Sequence, residues 1–268
     1  MGAFTLWQLP AQTPHQMNSF VIRSSHGKVI VIDGGYKQDA GYLKGFLAAL
    51  GNRVECWFIT HQHLDHVDAL TEILNHPGDL HIEGIHGSLH PEAWVAEHEG
   101  SQLDSTVQLN EALRVARREV ADMELGQMLQ IDEVSFEVLG IRNPEITVNA
   151  INNSSVVMRV HDEVRSILFP ADLGVEGGRK LLAGPHHNRL KSDYVQMAHH
   201  GQNGVEEEFY QAVGASICIW PTPRWLWDND SGSGQGSGKW KTLEVRAWME
   251  KLGVRQHYRL FDGLQEIR

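Results

Sequence analysis

Residues 54–74, VECWFITHQHLDHVDALTEIL, decide the fold. The run VECWFIT is short, apolar and rich in aromatic and β-branched residues, as a strand buried on both faces should be. From Leu64 onward Leu70, Ile73 and Leu74 recur at helical spacing, and Pro77-Gly78 stops the helix. Between the two lies HQHLDH, so a polar cluster is set at a strand-to-helix junction. In His61-Gln62-His63, residues two apart on an extended chain point to the same side, and both imidazoles can approach one ion. Asp65 and His66 follow in the turn, which can aim an oxygen and a nitrogen ligand at a second ion beside the first. The chain holds 16 histidines, and histidine is the commonest metal ligand among side chains. Metal binding explains their clustering better than chance does.

Outward from this junction the chain alternates strands and helices. FTLWQL, SFVIRS and KVIVIDGG read as short strands separated by Pro10, Pro14 and the turn at 24–27, with Asp33 ending the third. Asp39 is expected to cap a helix carrying Leu43, Phe46, Leu47 and Leu50, with Gly51 at its C-terminal cap. Residues 80–89 read as another strand, and Pro91 opens a long helical region to about Val120. In the second half LGQMLQI, VSFEVLGI, SSVVMRV and RSILFPADLG read as antiparallel strands, with Asp172 after the last. YVQMAHHG, SICIWPTP and RQHYRLF are further strands, separated by helices near 203–213 and 241–252, while SGSGQGSGK is a flexible loop. Hairpins combined with strand–helix units predict an α/β (α+β) architecture, a sandwich of two mixed sheets with helices outside, in one domain over 1–268.

Composition narrows the function. At 268 residues and 41% hydrophobic content the chain can bury a substantial core. A formal charge of −11 argues against extended nucleic acid, which needs clustered lysine and arginine, but leaves room for a small anionic substrate. No stretch of eighteen apolar residues and no leader pattern occurs, so a cytoplasmic location without membrane insertion is expected. Cys56 and Cys218, each in an apolar run, read as small core residues.

The motifs also resemble a known family. HQHLDH resembles the HxHxDH signature of the metallo-β-lactamase superfamily, and VIVIDGG ahead of it resembles that family's first motif. FPADLG is similar to its strand-end aspartate motif, and QMAHHGQ resembles the HHG variant of its last histidine motif. NNSSVVMRV to SILFPADLG is similar to the segment leading into that aspartate in the subgroup holding hydrolase domains of DNA-uptake channel proteins and phosphorylcholine esterases. The resemblance implies that His61 and His63 hold one metal, Asp65 and His66 the other, that Asp172 bridges both, and that His200 completes the second site. Asp65 and His199 are the catalytic candidates, His199 lying over the substrate as hydrogen-bond donor or general acid, or merely packing or capping a turn.

Several positions stay open on sequence alone. Neighbours on a strand face opposite ways, so only one of His199 and His200 should reach the metal, with His200 preferred. Family members often carry a further histidine ligand, for which IEGIHGSLHPEAW offers His86 or, in the better loop context, His90. Asp33 is expected to hold a ligand histidine through its second ring nitrogen, the alternative being turn formation with Gly34-Gly35. WPTPRWLW, residues 220–227, is expected to line a substrate pocket rather than cover the core. His186-His187 has no matching motif.

Two divalent ions roughly 3.5–4 Å apart can share a water, lower its pKa and stabilise developing charge, so hydrolysis is the reaction class expected. Zinc is the leading metal, with manganese or iron compatible with the same ligands. The subgroup resemblance implies a phosphodiester or related phosphoester; lactones, β-lactams and carboxylic or thio esters are the alternative. A di-iron oxidoreductase would need a carboxylate where Gln62 stands, and a non-catalytic member should have lost ligands.

Overall fold

The computed structural model describes residues 4–268 as two seven-stranded sheets packed face to face. The first sheet takes β1 (Phe4–Gln8), β2 (Ser19–Ser24), β3 (Val29–Asp33), β4 (Arg53–Ile59), β5 (His81–Gly87) and β6 (Val120–Asp122). The second takes β7 (Met128–Ile131), β8 (Val134–Gly140), β9 (Val157–His161), β10 (Ser166–Phe169), β11 (Tyr194–Gln196), β12 (Ile217–Trp220) and β13 (Gln256–Arg259). The last strand, β14 (Gln265–Ile267), returns to pair antiparallel with β1 on the edge of the first sheet. Both sheets have the same plan, an antiparallel meander leading into parallel strands, with β3, β4, β5 and β6 parallel in one and β10 to β13 parallel in the other.

The apolar runs are continuous because the central strands are covered on both faces. In β3, Ile30 and Ile32 point between the sheets while Val29 and Val31 face the helices. In β10, Ile167 and Phe169 point inward and Leu168 outward. Across the middle layer Phe20 meets Phe169 at 5.2 Å and Phe58 meets Phe136 at 5.1 Å between ring centroids. Aromatic pairs of this kind add about 0.5–1.5 kcal/mol each beyond area burial. On the outer face of the first sheet pack α1 (Ala40–Ala49), α2 (Leu64–Asn75) and, beside α3 (Glu92–His98), α4 (Leu103–Val115). The second sheet is covered by α5 (Val175–Ala183), α6 (Glu207–Val213) and α8 (Thr242–Lys251), with α7 (Arg224–Trp227) contributing Trp227. The expected sandwich of two mixed sheets flanked by helices is therefore the observed one.

Local departures have physical causes. The helical region after Pro91 is two helices, broken at Glu99 where the backbone leaves helical geometry (φ −152°, ψ 56°). It stops at Val115, short of the expected boundary, and Val120 opens β6 instead. Asp39 does not cap α1 with its side chain; its carboxylate accepts the backbone N–H groups of Gln12 and Tyr36 and so closes the turn before the helix. The helix expected from 203 begins at Glu207, after the turn that follows the HHG motif. Strands β6 and β14 leave no signal in the sequence, because each is three residues long and gains its identity from the strand beside it. Among the described residues no helix is long and apolar enough to cross a membrane.

Candidate metal centre

The parallel strands β3 and β4 of one sheet and β10, β11 and β12 of the other end at the same edge of the sandwich, the place where open α/β sheets build sites. After β4, four residues lead to α2, the last of them, His63, extended, and α2 starts at Leu64, with Asp65 and His66 buried in its first turn. The positive end of this helix favours carboxylates beside it. Val156 donates its backbone N–H to the carbonyl of Thr60 at 2.8 Å, which ties the segment before β9 to the first histidines. After β10 the chain turns at Ala171, a non-glycine residue at φ 50°, and presents Asp172.

His199 and His200 are not on a strand. β11 ends at Gln196, and both histidines adopt left-handed backbone, φ 49° and 54°. The facing-opposite rule therefore does not apply, and both rings approach Asp172 through Nε2: His200 at 3.1 Å and His199 at 4.0 Å. His200 Nε2 is also 3.1 Å from Asp65 Oδ2, and His66 Nε2 is 3.5 Å from Asp172 Oδ1. Left-handed geometry at Asp33, Ala171, His199 and His200 costs roughly 1–2 kcal/mol per residue, a local strain held by the surrounding packing.

Two groups of ligand-type atoms result, each lying within 4.8 Å of one another: Asp65, His66, Asp172 and His200, and His61, His63 and Asp172. Asp172 belongs to both. Each of these imidazoles has one nitrogen engaged by a neighbour outside the two groups. His66 Nδ1 meets Asp33 Oδ2 at 2.8 Å, His200 Nδ1 meets the Pro221 carbonyl at 2.9 Å, His61 Nδ1 meets Thr60 Oγ1 at 3.1 Å, and His63 Nε2 meets Glu99 Oε1 at 2.7 Å. The opposite atoms, His61 Nε2, His66 Nε2, His200 Nε2 and Asp172 Oδ1, are buried without a hydrogen-bond partner among the described residues. The short His200 separations from Asp65 and Asp172 are ion-pair distances that lack hydrogen-bond geometry. Leaving a buried polar atom unsatisfied costs about 1–3 kcal/mol; four around one space form a cradle for a cation, and the residues present fit divalent metal ions.

Charge gives the same answer. Asp33, Asp65 and Asp172 are all buried. Burial alone would push Asp172 up, yet the neighbouring His200 and His66 hold it well below the usual carboxylate range. Burial opposes charge on His66 too, but Asp172, Asp33 and Asp65 raise it well above its ordinary value; His200, under the same opposition, is raised to about 9. His61, whose burial is reinforced by its neighbouring histidines, is lowered well below its ordinary value and stays neutral.

Asp33 is wholly buried and accepts from Asn18 Nδ2, the Thr60 backbone and hydroxyl, and His66. It supports a ring rather than facing the cluster. His199 Nδ1 meets the Asn203 carbonyl at 3.2 Å and its Nε2 lies 3.3 Å from Asn152 Nδ2. That pattern places the proton on Nδ1 and leaves Nε2 as an acceptor toward Asn152; burial lowers the ring's pKa. His90 joins neither group: its ring bonds Ser154 Oγ at 2.8 Å and stacks on Trp94 at 3.5 Å, while its backbone is held by the Gln62 amide. His86 lies on β5, where its ring tilts against Phe58. Of residues 220–227, Trp220 and Trp227 pack edge to face in the outer core; Trp227 also lines a cavity of about 350 Å³ with Arg246 and His257, none of whose walls is a residue of the ligand cluster, and Trp225 is half-buried, its indole N–H on the Pro14 carbonyl and its ring 4.9 Å from Trp240. His186 lines a cavity of about 230 Å³ whose other walls include Asn143, Ser155 and Leu173.

Sequence reasoning missed Glu99, Asn152 and Ser155. Ser155 Oγ accepts the Asp172 backbone N–H at 3.2 Å and lies 3.5 Å from His61 Nδ1. None carries a local motif; NNSS hinted at the segment without assigning it a task.

The family model described as the metallo-beta-lactamase superfamily matches residues 12–200. No curated protein matches. Among solved structures, the metallo-beta-lactamase fold protein YhfI from Bacillus subtilis superposes with a TM-score of 0.59 at 11% identity, over 98% of this chain and 100% of that one. CmlA from Streptomyces venezuelae, a diiron β-hydroxylase, gives 0.58 at 14% identity over 100% of this chain and 54% of its own. A diphosphatase from the PhnP family gives 0.53 at 9% identity over 100% and 98%. These likenesses concern the fold.

Proposed function

We propose, from the premise that this chain belongs to the metallo-β-lactamase superfamily, that it is a dinuclear metal-dependent hydrolase acting on a small phosphodiester or related phosphoester. The observation that carries the reading is the set of four orphaned ligand atoms, His61 Nε2, His66 Nε2, His200 Nε2 and Asp172 Oδ1, turned toward one buried space. His61 and His63 with Asp172 would hold one ion, and Asp65, His66 and His200 with Asp172 the other. When bound, such ions supply Lewis acidity and an acidified water; zinc is favoured by nitrogen and oxygen donors, with manganese or iron as alternatives.

The chain's own residues do the rest. Asp33 and Glu99 fix the orientation of His66 and His63. His199, with Nε2 free of a proton, can take one up at the edge of the cluster and return it to a leaving group. Asp65 places a buried carboxylate beside His200 at the mouth of α2. A phosphoester is supported by the subgroup resemblance of NNSSVVMRV and by the diphosphatase of similar fold. A small anionic substrate, not a nucleic-acid strand, agrees with a charge of −11. Two buried free cysteines support a reducing, cytoplasmic setting.

A second, oxidative reading is favoured by the likeness to a diiron β-hydroxylase. Against it, the two ligand groups hold no carboxylate besides Asp65 and Asp172. The test is metal analysis of protein purified without chelator, paired with turnover of a chromogenic phosphodiester and of a chromogenic β-lactam or lactone. About two zinc ions with phosphodiester turnover supports the proposal. Turnover of only the carbonyl substrates moves the substrate class, and two iron ions with oxygen consumption and no hydrolysis replaces it.

A further inference from the structure

Glu99 occupies the break between α3 and α4, and each of its carboxylate oxygens faces a donor. Oε1 is 2.7 Å from His63 Nε2, and Oε2 accepts the backbone N–H of Ile151 at 2.9 Å. Ile151 leads into the segment that carries Asn152 against His199 and Ser155 against His61 and Asp172. Neither α3 nor α4 supplies the geometry itself; the irregular backbone at Glu99 turns the side chain inward, where it is 21% exposed beside a ring that is 12% exposed. A carboxylate that accepts on both oxygens meets the neutral ring of His63 only as the tautomer with its proton on Nε2, whose lone pair is on Nδ1; His63 itself belongs to the group with His61 and Asp172.

We propose that Glu99 is a positioning residue that sets the tautomer of His63, making Nδ1 its metal-binding atom, and that ties this ligand to the 151–155 segment along the site. The inference rests on the dinuclear metal reading above. Glutamine at position 99 is nearly isosteric but has one acceptor oxygen. Whichever way its amide turns, an NH₂ group meets either the Ile151 N–H or His63 Nε2, and relief of the second clash moves the ring proton to Nδ1. Outer partners of metal-bound histidines are typically worth 10–100-fold in metal affinity.

The experiment titrates zinc alone into wild-type protein and Glu99→Gln by chelator competition, and records the ring-nitrogen NMR shifts of His63 in both metal-free proteins. The expected result is roughly 10–100-fold weaker binding of one of two zinc ions in Glu99→Gln, with Nε2 protonated in the wild type. The NMR reading is a signature that a merely structural role would not move, and in the wild type it stands even where the variant folds poorly. Wild type that binds two zinc ions beside a Glu99→Gln that binds both as tightly overturns this proposal alone, as does a wild-type His63 protonated on Nδ1. Wild type that takes up no zinc overturns the metal reading and this one with it.

Discussion

His66 Nδ1 lies 2.8 Å from Asp33 Oδ2, and both side chains are fully shielded from solvent. The contact joins the end of β3 to the first turn of α2 and turns the other nitrogen of His66 toward Asp172. Because Asp33 accepts from four groups, replacing it with asparagine puts a donor against a donor. Asp33→Asn is expected to weaken zinc binding by about 10–100-fold and to lower the melting temperature of the metal-free protein. Chelator competition and thermal unfolding check the two effects; unchanged affinity would reduce Asp33 to a turn residue.

Ligand and proton-transfer roles should separate by mutation. His63→Ala is expected to lose bound metal and hydrolysis together. His199→Ala should retain its metals while kcat drops by about 10²–10⁴, because its Nε2 stands 4.0 Å from Asp172 at the partly exposed edge of the cluster. Metal analysis beside turnover of a chromogenic phosphodiester decides, and a metal-free His63→Ala enzyme with full activity would sink the mechanism.

Gly201 closes the HHG turn at φ +77°, and a Cβ there would stand 2.5 Å from the Trp220 ring. Gly201→Ala therefore combines a left-handed penalty of about 1–2 kcal/mol with an overpacking cost of about 1–3 kcal/mol. Urea unfolding should show a loss of that order, and the displaced His200 should weaken metal binding in parallel. A variant as stable as the wild type would mean that the turn has room to relax.

Metal removal should be felt in stability. Two buried carboxylates, Asp65 and Asp172, belong to the ligand cluster, and a ligand present at a thousandfold its dissociation constant stabilises by about 4 kcal/mol. Chelation is expected to lower the melting temperature by several degrees and zinc to restore it. A melting curve indifferent to chelator would separate the cluster from any bound ion.

His90 supplies a pH test away from the ligands. Burial, followed by the charges of Arg142 and His98, lowers its pKa from 6.5 to about 4. A histidine depressed by folding stabilises the native state fully above 6.5, and that contribution is lost as pH falls through about 4, since the unfolded chain binds the proton more readily in that window. His90→Gln should lose stability at every pH, with Trp94 unstacked, yet show a shallower decline between pH 6.5 and 4. Denaturation midpoints across that range test it; parallel curves for the two proteins would assign the acid sensitivity elsewhere.

The sequence by itself determined the alternation of buried strands and helices, the HxHxDH junction at the end of β4, and the carboxylate and histidine pair that follow β10 and β11. These are short-range patterns, encoded by a side-chain period of two on strands, by 3.6 on helices, and by turn residues at their ends. Tertiary structure alone decided which histidine Asp33 holds, that Glu99 in a helix break reaches His63, that Ser155 bridges toward His61 and Asp172, and that β14 finishes the sheet begun by β1. It also set His199 and His200 in a left-handed turn and drew His90 to Ser154 and Trp94. Such pairings join residues tens to hundreds of positions apart, and which of them meet is fixed by how the two sheets pack and where their strands end. Local periodicity carries no information about that.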